Sequence, residues 1–251
     1  GYFIRSFARL PLELQIHTSF FSPYFIRASF RARIQSALAA WLIPRVEHVR
    51  VVSRRIANYC TTTLGVAADR ITVVPIFASS LTMDAAVVLR YPQFDQTILI
   101  ASRLVPEKRI DLALHAFAQL RTMRPRVGLV IVGDGPLRNN LIALAQSLGV
   151  ASSVVFLPWT NDLGPYYRGA DVFLLTSDYE GWGRTVIEVA AFGIPIVMTD
   201  VGLAGEVIHD GVEGVIVPPR DVAAIAAGLS RVLRDRSFAN VLAVAARRAV
   251  Q

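Results

Sequence analysis

Hydrophobic positions in the second half of this chain fall into short unbroken runs rather than into strict alternation with polar residues. Between residues 97 and 217 six such runs recur, at 97–101, 127–132, 154–157, 171–176, 194–199 and 214–217. Runs this short and rich in Val, Ile and Leu suit strands buried on both faces, as in a parallel sheet. Helical patterns lie between them. Over 110–123, Leu112, Ala113, Ala116, Phe117 and Leu120 share one helical face, and further helices are expected at 137–148, 185–192 and 221–233. Strands alternating with helices at this spacing predict a doubly wound α/β domain with right-handed crossovers, from about residue 96 to about 235.

The first 90 residues carry fewer strand patterns. Strands are expected at 12–17, 48–53 and 71–75, with helices at 29–42 and 54–63, and Pro92-Gln93-Phe94-Asp95 looks like a linker. Three strands are too few for a complete sheet of this kind, and the first residue is Gly1 rather than Met. The expectation is therefore a fragment that begins midway through an N-terminal α/β domain. Its parts would be the second half of that domain over 1–92, a complete second domain over 93–235, and the start of a C-terminal helical tail over 236–251.

Composition narrows the class. Apolar residues make up 53% of the 251, which excludes disorder as the main state. The single cysteine, Cys60, cannot form an intrachain disulfide and fits a reducing, cytoplasmic compartment. The longest uncharged stretch, 139–161, is interrupted by Asn140, Gln146, Gly149, Ser152, Ser153 and Pro158, so no transmembrane helix is expected. There is no signal-peptide pattern. The net charge is +7, and of 26 basic residues only Lys108 is lysine, the other 25 being arginine.

A basic chain suits nucleic acid, anionic lipid or a phosphorylated substrate. The arginines are scattered rather than run together, and no nucleic-acid partner is expected. The densest set, Arg5, Arg9, Arg27, Arg31 and Arg33, is interleaved with Phe3, Phe7, Phe20, Phe21, Tyr24, Phe25 and Phe30. Cations beside aromatics suit peripheral contact with an anionic membrane surface. The same aromatics equally suit the core of the N-terminal domain.

In an open parallel sheet ligands bind beyond the carboxyl ends of the strands. After the run at 97–101 come Arg103 and Lys108, two cations five residues apart at a strand end and a helix start, able to converge on one phosphate group. The lone lysine suggests a place for a compact point charge rather than a guanidinium fork. After 127–132 comes Gly133-Asp134-Gly135-Pro136, where glycine permits close approach of a backbone to a ligand. After 171–176 comes Tyr179-Glu180-Gly181-Trp182-Gly183-Arg184-Thr185-Val186-Ile187-Glu188. With a helix starting near Gly183, Glu180 sits in the loop before it and Glu188 in its second turn. Exposed amides suit a diphosphate and carboxylates suit vicinal hydroxyls, which together describe a sugar nucleotide. Neither a complete G-x-G-x-x-G nor a P-loop is present.

These elements, with Asp171-Val172-Phe173-Leu174-Leu175, Gly193-Ile194-Pro195-Ile196-Val197 and Gly205-Glu206-Val207-Ile208, resemble the family 4 retaining glycosyltransferases of the GT-B fold, from about Leu14 to Leu233. The resemblance implies two Rossmann-like domains, the N-terminal one holding the acceptor and the C-terminal one the nucleotide sugar. It puts Arg103 and Lys108 on the diphosphate and Glu188 on the ribose hydroxyls. Glu180, with the backbone of Gly181, Trp182, Gly183, Arg184 and Thr185, would hold the donor sugar and distal phosphate. Gly133 would lie against the base, with Trp159 and Thr160 bordering it. His17, in the strand-plus-histidine segment Leu14-Gln15-Ile16-His17-Thr18, would reach the donor sugar.

The family needs no metal and no organic cofactor, and the sequence shows no Asp-x-Asp motif or His/Cys ligand cluster. The implied reaction is retaining transfer from a UDP-sugar or GDP-sugar to a hydroxyl acceptor: a glycan, a lipid-linked sugar or a small molecule, as in cell-envelope polysaccharide. No side chain is placed as a covalent nucleophile, so the departing phosphate would take the acceptor proton on the same face. A sugar-nucleotide epimerase and a phosphorylase are the alternative enzymes, and a non-catalytic sugar-nucleotide binding module the alternative outside catalysis. The pattern of Arg103, Lys108 and the paired glutamates argues against an epimerase. A phosphorylase would need a second lysine for pyridoxal.

Overall fold

A computed structural model describes residues 12–76 and 87–251. The chain divides into two compact units. Of the described residues, the first comprises 12–76 with 179–183 and 201–206, and the second the remainder through Gln251. The sequence boundary at 92 thus lies inside the second unit, as does the segment after 235.

The first unit carries a parallel sheet of β1 (Glu13–Ile16), β2 (His48–Val51) and β3 (Ile71–Val73), in that order. Its helices are α1 (Pro23–Ala28), α2 (Phe30–Leu42) and α3 (Arg54–Thr62). Ser29 and Ser53 cap α2 and α3, their hydroxyls accepting from the N–H groups of Ala32 at 3.0 Å and Ile56 at 3.3 Å. Cys60 lies fully buried on α3, and burial pushes its thiol up to about 11, so it is an inert core residue. The six-residue α1 was not expected from the pattern, because so short a helix leaves no legible period.

The second unit is a six-stranded parallel sheet in the order β6-β5-β4-β7-β8-β9. Its strands are β4 (Gln96–Ala101), β5 (Val127–Val132), β6 (Val154–Leu157), β7 (Val172–Leu175), β8 (Ile196–Thr199) and β9 (Val215–Val217). The crossovers are α4 (Ile110–Met123), α5 (Arg138–Ser147), the short α6 (Gly164–Gly169) and α7 (Arg184–Phe192), and α8 (Val222–Arg234) follows the last strand. The segment after 235 forms a closing helix, α9 (Arg236–Ala249), begun by the Asp235 carboxylate accepting from Phe238 N–H at 2.9 Å.

Every pairing is parallel, as the unbroken apolar runs predict. All six positions of β5 are buried. The expected face of α4 is buried at Ala113, Ala116, Phe117 and Leu120, and α4 packs on α5 and α8. Burying a residue such as Phe117 or Leu120 contributes about 1.5–3 kcal/mol each.

Candidate active site

Strand order reverses at β4, which pairs with β5 on one side and β7 on the other. A doubly wound sheet opens its ligand crevice at the carboxyl end of such a switch point. Arg103 and Lys108 lie on the loop leaving β4 there, and Arg184, Thr185 and Glu188 on the helix α7 that follows β7.

The β4 loop is interlocked with the turn after β5. Ser102 N–H donates to Val132 O at 3.1 Å, Leu104 N–H to Asp134 O at 2.8 Å, and Leu137 N–H to Leu104 O at 3.1 Å. Gly133 makes this possible, because a Cβ at that position would lie 1.9 Å from the Ser102 carbonyl oxygen. The close approach that glycine permits here is that of the chain's own backbone. The interlock holds Arg103 on an exposed loop, where its Nη2 meets Glu107 Oε1 at 3.3 Å. An exposed pair of that kind is worth little, so exchanging it for a phosphate costs little. Lys108 ends the 3-10 turn Pro106–Lys108. Its carbonyl accepts from Thr176 Oγ1 at 2.8 Å, and the Glu107 carbonyl accepts from Asp178 N–H at 2.8 Å. The loops from β4 and β7 are thus joined through the turn that carries Lys108.

Glu188 lies in the second turn of α7, as expected, and is 8% exposed. A buried carboxylate needs partners. Tyr167 O–H donates to Oε2 at 2.9 Å and Arg184 Nε donates to Oε1 at 2.9 Å. Burial, reinforced by the Glu188 carboxylate, pushes the Tyr167 phenol well above the ordinary tyrosine range and keeps it a donor. Tyr167 thereby aims Glu188, a role the sequence did not suggest. Tyr167→Phe is expected to destabilise the protein by about 1–3 kcal/mol, the cost of leaving a buried acceptor short of a partner. Chemical denaturation with an unchanged slope checks this.

Trp159, beyond β6, is anchored by its N–H donating to Asp134 Oδ2 at 3.1 Å and its indole N–H donating to Asn161 Oδ1 at 3.3 Å. Its ring is exposed beside the 133–136 turn, and Thr160 Oγ1 accepts from Asp162 N–H at 3.2 Å. Thr185 follows Arg184 in the first turn of α7. Arg103, Lys108, Gly133, Trp159, Thr160, Arg184, Thr185 and Glu188 all belong to the second unit.

The other candidates gather in the first unit. His17 is exposed directly after β1, and Ser19 Oγ donates to the Glu180 carbonyl at 2.6 Å. A Cβ on Gly181 would lie 1.9 Å from the His17 carbonyl oxygen, so glycine seats the His17 backbone there. Trp182 is buried, its carbonyl accepts from Leu203 N–H at 2.8 Å, and its indole N–H has no hydrogen-bond partner among the described residues. Gly183, at φ 108, leads the chain into α7. Among the described residues no group of three His, Cys, Asp or Glu side chains is placed to hold a metal ion.

A complete doubly wound unit together with a second parallel α/β unit is the GT-B class of fold, and solved structures of that class match the whole chain. Sucrose-phosphate synthase from Thermosynechococcus elongatus superposes with a TM-score of 0.80 at 23% identity, over 100% of this chain and 65% of that one. Anabaena HepE, solved with UDP-glucose, gives 0.80 at 22% identity over 100% of this chain and 70% of that one. The chain belongs to the glycosyl transferases group 1 family, which it matches over residues 88–249.

Among curated relatives, a Streptomyces coelicolor exopolysaccharide phosphotransferase is 31% identical over 204 residues, covering 78% of this chain and 20% of that protein. A GDP-mannose-dependent phosphatidylinositol monomannoside mannosyltransferase of Mycolicibacterium smegmatis is 36% identical over 169 residues, covering 63% of this chain and 44% of that protein. The chain therefore spans less than half the length of these relatives.

Proposed function

We propose that this chain supplies the donor-binding part of a glycosyltransferase that moves a sugar from a nucleoside diphosphate to a hydroxyl acceptor, with retention of configuration at the anomeric carbon. One observation carries the reading: the family match covers residues 88–249, which include Arg103 and Lys108 on the loop after β4 and Glu188 on α7. In the reaction the bond from the anomeric carbon to the diphosphate oxygen breaks as the bond to the acceptor oxygen forms. The departing phosphate takes the acceptor proton, and Arg103 and Lys108 offset its growing charge. Glu188, aimed by Tyr167, holds the ribose hydroxyls. Glu180 and the Gly181–Thr185 backbone hold the sugar and distal phosphate, with His17 at the sugar. Gly133, Trp159 and Thr160 line the base. The reading takes UDP-sugar or GDP-sugar as donor and requires no metal or organic cofactor.

The two glutamates separate experimentally. Glu188→Ala is expected to weaken free UDP or GDP and the intact sugar nucleotide alike, by roughly tenfold, as loss of a hydrogen bond to a charged group does. Glu180→Ala is expected to spare the free nucleotide and weaken only the sugar nucleotide. Calorimetric titration of both variants with both ligand types checks this, and equal losses throughout would contradict the division of roles.

We further propose a cytoplasmic, peripheral location at an anionic membrane surface, with a lipid-linked acceptor. Arg5, Arg9, Phe3 and Phe7 lie outside the described residues. Of the remaining aromatics, Phe20 is buried and Phe21 stacks on Tyr59 at 4.2 Å, so these two serve the core rather than a surface. Helix α2 supports the proposal instead. Phe30, Ile34, Leu38 and Trp41 recur at helical spacing and are all exposed, Phe30 at 77%. Arg31 and Arg33 flank this stripe, Arg45 lies over the Trp41 ring at 4.6 Å, and the helix carries no acidic residue. An apolar stripe edged by cations complements anionic headgroups. Among the described residues no helix is long and apolar enough to cross a membrane. Flotation with anionic vesicles at low salt is expected to carry the protein, with binding lost at high salt and after Phe30→Ser plus Leu38→Ser. Absence of binding at low salt would leave the protein off the membrane.

A further inference from the structure

Two arginines, Arg109 at φ 50 and Arg220 at φ 65, are the only non-glycine residues with positive φ among those described. A left-handed backbone is unfavourable for a side chain of this size and persists only where surrounding contacts impose it. Both side chains meet the same carboxylate. Arg220 donates to Asp178 through Nε at 2.8 Å and Nη2 at 2.7 Å, and Arg109 Nη1 lies 3.5 Å from Asp178 Oδ1. Asp178 is 6% exposed. The Arg109 guanidinium is further held by Asp111, at 3.0 and 2.8 Å.

We infer that Asp178 is a positioning residue for the donor diphosphate: with Arg109 and Arg220 it clamps the turn that carries Lys108. The inference rests on Lys108 meeting that diphosphate. Arg109 directly follows Lys108, and the Asp178 N–H holds the Glu107 carbonyl directly before it. Thr176, two residues ahead of Asp178, holds the Lys108 carbonyl itself. Arg220 ties the same carboxylate to the entry of α8, whose first turn is capped by Asp221 accepting from Ala224 N–H at 2.8 Å. Three chain segments that leave the carboxyl ends of β4, β7 and β9 are so pinned at one buried anion. The two arginines act through this clamp rather than as phosphate ligands. Arg220 turns its Nε and Nη2 edge to Asp178, and every terminal group of Arg109 meets a carboxylate.

Geometry and charge predict opposite outcomes for Asp178→Asn. Removing a buried negative charge beside two arginines would by itself strengthen an approaching anion. Releasing the Lys108 turn weakens it. We expect Asp178→Asn to weaken UDP or GDP by about tenfold in calorimetric titration, to leave uridine or guanosine within about twofold, and to add nothing when Lys108 is already alanine, as for residues coupled through one contact. Arg220→Lys keeps the charge and loses the fork, and is expected to give a smaller loss of the same kind should Asp178→Asn fail to fold. Parental or tighter diphosphate binding, an equal loss for the bare nucleoside, or an undiminished loss in the Lys108→Ala background would each overturn the clamp. Lys108→Ala binding like the parent would instead sink the diphosphate reading, and the clamp's function with it.

Discussion

Lys108→Ala and Arg103→Ala are each expected to weaken binding of UDP or GDP by about 1.5–3 kcal/mol, roughly 10- to 150-fold in Kd. The two cations stand on one loop, Arg103 where it interlocks with the 133–136 turn and Lys108 on the 3-10 turn five residues later. Arg103 is exposed, so alanine there removes a ligand contact with little loss of fold. Lys108 is half-buried, and Lys108→Met keeps most of its apolar stem as a control for packing. Calorimetry at fixed ionic strength reads both, because screening of an exposed cation varies with salt. Binding of the bare nucleoside is expected to be unchanged.

The second large effect is on stability. Gly133→Ala is expected to cost about 3–4 kcal/mol, within the range reached by overpacking and backbone strain together. The added methyl would sit 1.9 Å from the Ser102 carbonyl oxygen, a backbone atom that cannot rotate away. The loop carrying Arg103 has to move for alanine to fit. Gly149→Ala is the matched control, since Gly149 has φ +70 but nothing within 4 Å of its would-be Cβ. It carries only the cost of a left-handed alanine, about 1 kcal/mol. Melting temperatures are expected to fall by about 6–15 °C for the first and about 2–4 °C for the second, for a chain of this size.

The second unit was legible because its sheet is covered on both faces. Strands buried on both sides leave runs such as 127–132, and crossover helices leave one apolar face, so pattern and burial agree. The helix beginning beside Gly183 placed Glu188 correctly in its second turn. Elements of six residues, α1 and α6, were not legible, since less than two turns define no period. Tyr167 was lost with α6.

Asp178, Arg109 and Arg220 were hidden for a different reason. A chain with 25 arginines offers no signal that two of them share one carboxylate, and positive φ is written in sequence only when glycine supplies it. The aromatic-rich start could be read as core or as surface. Phe20 and Phe30 show that both readings apply, to different residues.

The central claim is that this chain binds a nucleoside diphosphate through Lys108. Melting curves of the parent protein and of Lys108→Ala against UDP, GDP, their sugar conjugates and the bare nucleosides test it directly, because a ligand that binds only the folded state raises its stability by mass action. At 100 times Kd the expected gain for one of the two nucleoside diphosphates is about 2.7 kcal/mol, and that gain shrinks in Lys108→Ala. Melting curves that no nucleoside diphosphate moves, or that move equally in both proteins, would contradict the claim.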